Sequence, residues 1–343
     1  MKNSKKIIIF FLFVFSFAFT LKAQTTYKIE KFSKLIHATV TISDESLNEV
    51  FKQGTIQIFD SKTKKNIINI KSQELNFELN DKNNIKIKQG EQRILIYEDF
   101  NFDNNSDLAV MNGEGSCYGG PTYSIYLFEK GKFVYDEEFS ELGTDNCGMF
   151  QVDAKLKQLH TFTKSGCCWY LETNYKIVNN KPITIETIEM DNRQYPYYYT
   201  TTSTFGGKGK VVVKKEIAFD QMAVKEFFSF QLQKNNKKVV LFDDGENNLN
   251  YALLKPNESV EFNYPIENNS ENLPFMIDVI SKNISFVNKK ITYTIYQKTN
   301  QDKTVSVGII VKNKDKIIDL VGNTFTIKGN LKSISENKYN NVK

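Results

Sequence analysis

Apolar and polar residues alternate with a period of two along almost the whole chain. "HATVTIS" (37–43), "GTIQIFD" (54–60) and "NIINIKS" (66–72) open the pattern; "RILIYED", "LAVMN", "YSIYLFEKGKFVYDEEF" and "NYKIVNNKPITIETIE" continue it. Successive side chains of a strand point to opposite faces, so each run is a strand offering one face to a core. The breaks "DSKTKK", "FEKGKF" and "VNNKP" are polar turn sequences between such runs, as hairpins require. Helical periodicity is confined to "DESLNEVFKQ" (44–53) and "FDQMAVKEFF" (219–228). The pattern predicts an all-β chain of antiparallel hairpins.

A composition shift marks the middle. "QYPYYYTTTSTFGGKGK" (194–210) has β-formers and glycines but no clean alternation. It predicts a domain boundary after residue 205, or an aromatic edge strand plus hairpin belonging to the first domain. Beyond it, "FSFQLQKNNKKVVLFDDG", "LNYALLKPNESVEFNYP" and "KKITYTIYQKTNQDKTVSVGIIVKNKDKIIDLVG" form a second ladder with short polar turns. The expected organisation is a first β domain over 24–205 and an antiparallel sandwich or barrel-like domain over 206–343.

The first residues read as a secretory signal. Lys2, Lys5 and Lys6 precede an apolar stretch, Ile7 to Thr20, and "LKAQ" supplies a small residue at Ala23 for cleavage. The stretch is shorter than the ~20 residues of a membrane span, so the predicted mature protein starts at Gln24, has no membrane span and is periplasmic or secreted. Removing 1–23 takes four lysines and no acids, so the formal charge of +5 drops to about +1. That balance gives no footprint for nucleic acid. Cys117, Cys147, Cys167 and Cys168 are an even set in an exported chain and read as up to two disulfides. If Cys167 and Cys168 lie on a strand they face opposite ways, which favours pairing each with Cys117 or Cys147 over a bond between neighbours.

Candidate chemistry centres on "DFNFDNNSDLAV" (99–110). Asp99, Asn101, Asp103 and Asp107 fall at positions 1, 3, 5 and 9 of a loop, and Asn105 at position 7 offers its carbonyl. Calcium takes 6–8 oxygens of these kinds, so a structural Ca²⁺ is predicted there. Asn104 stands where such loops carry Gly, and also tolerates the left-handed conformation. Val110 at position 12 and strands on both sides exclude a helix-loop-helix sensor.

"DFNFDNNSDLAV" followed by "GGPTYSIYLFEKGKF" resembles the strand–calcium-loop–strand unit of FG-GAP-like repeats. It is more closely similar to a family of exported bacterial β-propeller-like proteins that includes a periplasmic inhibitor of a lysozyme-type effector; "TKSGCCWYLETNYKIVNNKPITIE" extends the likeness over residues ~90–190. The resemblance implies a propeller-like N-terminal domain and a peptidoglycan hydrolase as partner. The C-terminal half resembles an uncharacterised exported β module with no activity to carry over. Lysozyme inhibitors of several folds insert an S-G-x-x-Y loop into the enzyme cleft. "GGPTY" (Gly119, Gly120, Tyr123) and "SGCCW" (Ser165, Gly166, Trp169) are partial versions of it. A calcium at the acidic loop would then staple the neighbouring "GGPTY" segment.

Catalytic signatures are missing. His37 and His160 sit in strand-like alternation, and no nucleophile elbow, H-E-x-x-H or phosphate-binding glycine loop occurs. The sequence therefore predicts a binding protein: an inhibitor of a peptidoglycan hydrolase, or alternatively a glycan-binding or adhesion module using Tyr197, Tyr198 and Tyr199.

Overall fold

A computed structural model describes residues 24–86, 93–266, 273–278, 280–281, 283–335 and 339–343; the predicted signal peptide lies outside them. The fold is all-β, built from antiparallel meanders. Two compact units divide at Thr144/Asp145.

The first unit holds two four-stranded sheets. One runs β1 (Gln24–Lys28), β2 (Ile36–Ser43), β3 (Lys52–Asp60) and β4 (Asn66–Leu75); the other β5 (Leu95–Glu98), β6 (Asp107–Ser116), β7 (Gly120–Glu129) and β8 (Lys132–Asp136). β4 lies against β6 and β8, and Ser72 Oγ donates to the Met111 carbonyl at 2.6 Å in a buried bond between the sheets. The alternation predicted from sequence fills the core: Ala38, Val40 and Ile42 on β2, Ile56 and Ile58 on β3, and Ile125 and Leu127 on β7 are buried. α1 (Glu137–Leu142) is capped by Asp136, whose carboxylate accepts the Phe139 N–H. The unit has two meanders among its described residues, where a propeller has typically four to eight such blades around an axis.

The second unit begins with a six-stranded sheet, β9 (Gln151–Asp153), β10 (Gln158–Ser165), β11 (Trp169–Val178), β12 (Lys181–Asp191), β13 (Tyr197–Phe205) and β14 (Val211–Phe219). A nine-stranded curled sheet follows. Its first meander is β15 (Lys225–Leu232), β16 (Lys238–Asp243), β17 (Leu249–Leu254) and β18 (Val260–Tyr264); its second is β19 (Met276–Asp278), β20 (Asn283–Asn288), β21 (Ile291–Thr299), β22 (Val305–Asn313) and β23 (Lys316–Gly329). Pairing of β15 with β23 joins the two meanders. At that seam Gly329 has φ +70°, and a Cβ there would stand 1.8 Å from the Phe227 carbonyl oxygen. An aromatic core of Phe228, Phe230, Tyr251, Tyr264, Phe275 and Phe286 fills the sheet, closed by Leu331, Ile334 and Tyr339 around the short α2 (Lys332–Ser335).

Three sequence expectations change. The glycine-rich stretch is a β13–β14 hairpin at the edge of its sheet, with Phe205 opposite Val211, as the alternative reading had it but within the second unit, while the compact units separate at 144/145. "GGKGK" relaxes the alternation because it turns a hairpin. Neither helical candidate is an α-helix: 44–46 and 221–223 are single 3₁₀ turns and 225–232 is β15. Cys167 and Cys168 are bonded to each other, Cα–Cα 3.7 Å. They lie in the turn between β10 and β11, so the strand alternation that favoured other partners does not apply. No cysteine is free.

Candidate functional site

The acidic loop joins β5 to β6 and closes on its own backbone. Asp99 Oδ1 accepts the Asp103 N–H at 3.1 Å and Oδ2 the Asn104 N–H at 2.9 Å; Asp103 Oδ1 accepts the Asn105 N–H at 2.7 Å. Asn101, buried, accepts the Asp103 N–H as well. Phe102 (φ +61°) and Asn104 (φ +70°) supply the left-handed residues that turn the loop, and Phe100 points into the core. Asp107 is fully buried, with Oδ2 accepting the Phe100 N–H and Oδ1 the Phe128 N–H, each at 2.8 Å. Burial pushes its carboxyl up to about 6 against those two hydrogen bonds, and the charges of Asp103 and Asp99 add to the rise. These are hard oxygen donors of the kind calcium takes. Among the described residues no three His, Cys, Asp or Glu side chains stand together as a metal group; the Asp99, Asp103 and Asp107 carboxylates accept backbone amides instead.

The "GGPTY" segment sits at the other end of β6. Asp107 opens that strand and Ser116 closes it, a separation of roughly 30 Å at ~3.3 Å per residue. The acidic loop therefore cannot staple this turn directly. Cys117–Gly119 form a 3₁₀ turn, Gly119 has φ +75°, and Gly120 begins β7 with Ser116 Oγ 2.7 Å from where a Cβ would be. Tyr123 is 2% exposed, opposite Met111, with burial pushing its hydroxyl up to about 12. It shares a strand face with Ile125 and Leu127 and is unavailable to a partner. The aromatic that the turn does present is Tyr118, 69% exposed at φ +56°. Sequence reasoning missed it; the signal was a tyrosine next to two glycines in a turn.

"SGCCW" forms the tip of the β10–β11 hairpin. Ser165, Gly166 (φ +62°) and Cys167 are exposed, and the Cys167–Cys168 bridge lies within the turn. Several bonds fix the tip. Trp169 Nε1 donates to Glu189 Oε1 at 2.7 Å, the Tyr170 hydroxyl to the Cys167 carbonyl at 2.6 Å, and the Asn192 N–H to the Cys168 carbonyl at 2.7 Å. On the face opposite Trp169, Phe162 and Tyr170 stack with centroids 6.0 Å apart.

The remaining candidates are strand residues. His37 stacks on Phe59. His160 Nδ1 lies 2.5 Å from Asn174 Oδ1, and Asn174 Nδ2 donates to Glu186, a polar row across β10, β11 and β12. Tyr197 is in a core with Phe219 and Phe242, and Tyr199 packs partly against it. Tyr198 is half-buried, with its hydroxyl 3.4 Å from Asp220 Oδ2. The three tyrosines thus do not form one open platform. No helix among the described residues is long and apolar enough to cross a membrane.

No protein-family model matches the chain, and no curated protein does. Among solved structures, a Xanthomonas type IV secretion system related protein is similar at 19% identity and a TM-score of 0.45, over 57% of this chain and 94% of that one. A candidate 6-phosphogluconolactonase of Bacteroides uniformis is similar at 9% identity and a TM-score of 0.21, over 88% of this chain and 87% of that one. Likenesses this distant carry no functional argument.

Proposed function

We propose that the chain is an exported binding protein that blocks a peptidoglycan hydrolase of the lysozyme type, with the Ser165–Trp169 tip as the inserting element. The observation that carries the reading is the exposed and braced tip itself. Ser165 and Gly166 are small enough for close backbone approach, the Ser165 hydroxyl can hydrogen-bond a catalytic carboxyl, and Trp169 is already held by Glu189. A loop ordered before binding loses less entropy on association. Export rests on the tripartite leader, and the oxidised cysteines fit it. Calcium at Asp99, Asn101, Asp103, the Asn105 carbonyl and Asp107 belongs to the same reading as a structural ion for the first unit. A divalent cation would offset the mutual repulsion that contributes to the raised Asp107 carboxyl.

The test is a turbidity assay of cell-wall lysis by a panel of lysozyme-type hydrolases. Micromolar protein is expected to slow at least one, and Trp169→Ala to relieve the inhibition. Undiminished lysis across the panel overturns the reading.

A second reading is glycan binding without catalysis. It is favoured by the Phe162–Tyr170 stack, whose Phe162 ring is 39% exposed and suits the apolar face of a sugar. A glycan array separates the two: retention of wild type but not Phe162→Ala supports it.

A further inference from the structure

The first unit contains a pocket of about 330 Å³ formed by the 29–36 connection from β1 to β2 and the 61–64 turn from β3 to β4. We propose that it binds a small acidic molecule: a phosphate or carboxylate group on a ring-sized body.

The lining is cationic. Lys31, Lys34 and Lys64 all border it, and none makes an ion pair among the described residues. All three are exposed, and with one lining carboxylate the face they border carries an excess of positive charge that favours an anionic ligand. The lining carboxylate is Glu30, whose Oε1 accepts from Asn80 Nδ2 at 2.6 Å. His37 also lines the pocket. Its Nδ1 has no accessible surface of its own, so the ring serves as part of the wall and as a reporter of occupancy. The serines at 33 and 61 offer hydroxyls at the rim.

The remaining wall sets the size and body of the ligand. Ile29 and Ile36 are buried, and Phe32 stands edge-to-face with Tyr97 at 5.9 Å. The volume is about ten waters' worth at ~30 Å³ each, more than a bare phosphate fills and enough for a monosaccharide carrying one.

The pocket is also ordered before any ligand arrives. Ser61 N–H donates to the Leu35 carbonyl at 2.8 Å, joining its two walls. Asp60 accepts from the Thr63 and Lys62 amides and from the Thr63 hydroxyl, which hold the turn that carries Lys64 (φ +62°).

The experiment is calorimetric titration of the full mature chain with glucose 6-phosphate, glucuronate, inorganic phosphate and neutral glucose, with the His37 imidazole signals followed by NMR. Binding of the sugar phosphate or the sugar acid is expected, with His37 signals moving and no response to glucose. Which of the two binds identifies the acidic group. Lys31→Ala/Lys34→Ala/Lys64→Ala should weaken it by at least about tenfold; these are surface residues, so the melting temperature should hold. Failure of both anionic sugars to bind, or unchanged affinity in a folded triple variant, overturns the proposal. Inorganic phosphate binding as tightly as glucose 6-phosphate overturns the ring-sized body.

Discussion

Asp107 joins the acidic loop to the next hairpin: its Oδ1 accepts the Phe128 N–H on β7 and its Oδ2 the Phe100 N–H in the loop, both at 2.8 Å. Replacing it with alanine leaves two amide donors without their acceptor in a fully buried setting. Each unsatisfied buried donor costs about 1–3 kcal/mol. Asp107→Ala is therefore expected to lower unfolding free energy by about 2–6 kcal/mol. Asp107→Asn should also destabilise, since one oxygen becomes a donor facing a donor. Chemical denaturation checks both, and a loss under about 0.5 kcal/mol in the alanine variant would show that these bonds do not hold the loop.

The same carboxyl makes stability depend on pH in the metal-free protein. Its folded value, about 6, lies above the ordinary 3.8, so the folded state binds this proton more tightly than the unfolded chain. The stabilising contribution is complete below about 4 and is lost as pH rises through about 6. Its size is about 3 kcal/mol at ~1.4 kcal/mol per unit. In EGTA, the stability difference between wild type and Asp107→Ala should shrink from pH 4.5 to pH 7. Calcium, which needs the ionised form, should raise the melting temperature at pH 7 more than at pH 5. An identical melt with calcium and with EGTA at pH 7 would return these aspartates to an ordinary turn.

Gly329 offers a cleaner test of the nine-stranded sheet. Its φ is +70°, and a methyl carbon added there would lie 1.8 Å from the Phe227 carbonyl oxygen, which leaves no room at the β15–β23 seam. Gly329→Ala must move backbone, so a loss of about 2 kcal/mol or more is expected. Gly166→Ala is the control: φ is +62°, but nothing lies within 4 Å of the added atom, so only the left-handed cost of about 1–2 kcal/mol applies. Equal melting temperatures for the two variants would contradict the crowding argument.

Strand positions and hairpin turns were legible because period-two alternation is a local property of half-buried strands. "RILIYED" and "LAVMN" became β5 and β6 around the acidic loop. Tyr123 was misassigned to a partner surface, although its keeping step with Ile125 and Leu127 already marked it as a core residue. The spacing of Asp99, Asn101, Asp103 and Asp107 located a loop but not where its oxygens point, which depends on competing backbone amides such as that of Phe128. Cys167 and Cys168 were misjudged because strand geometry was applied to a turn. The cationic pocket was out of reach: only strand pairing such as Ile36 with Asp60 brings Lys31 and Lys34 near Lys64.

The β10–β11 tip separates recognition from stability. Its exposed residues, Ser165, Gly166 and Cys167, lie outside both hydrophobic cores of the second unit. Glu189 is exposed and pairs with the Trp169 indole at 2.7 Å. Glu189→Ala removes that acceptor and frees the indole, and Cys167→Ser/Cys168→Ser opens the ring in the turn. Neither should move the melting temperature by more than a few degrees: Glu189 is an exposed surface residue, and a bridge between neighbours closes the smallest possible loop, so it removes little entropy from the unfolded chain. Both should weaken inhibition of a responsive hydrolase by about three- to tenfold, through a less ordered tip. The comparison needs a thermal melt and an inhibition curve for each variant. Inhibition that survives unchanged in both, with intact folding, would move the contact surface away from this hairpin.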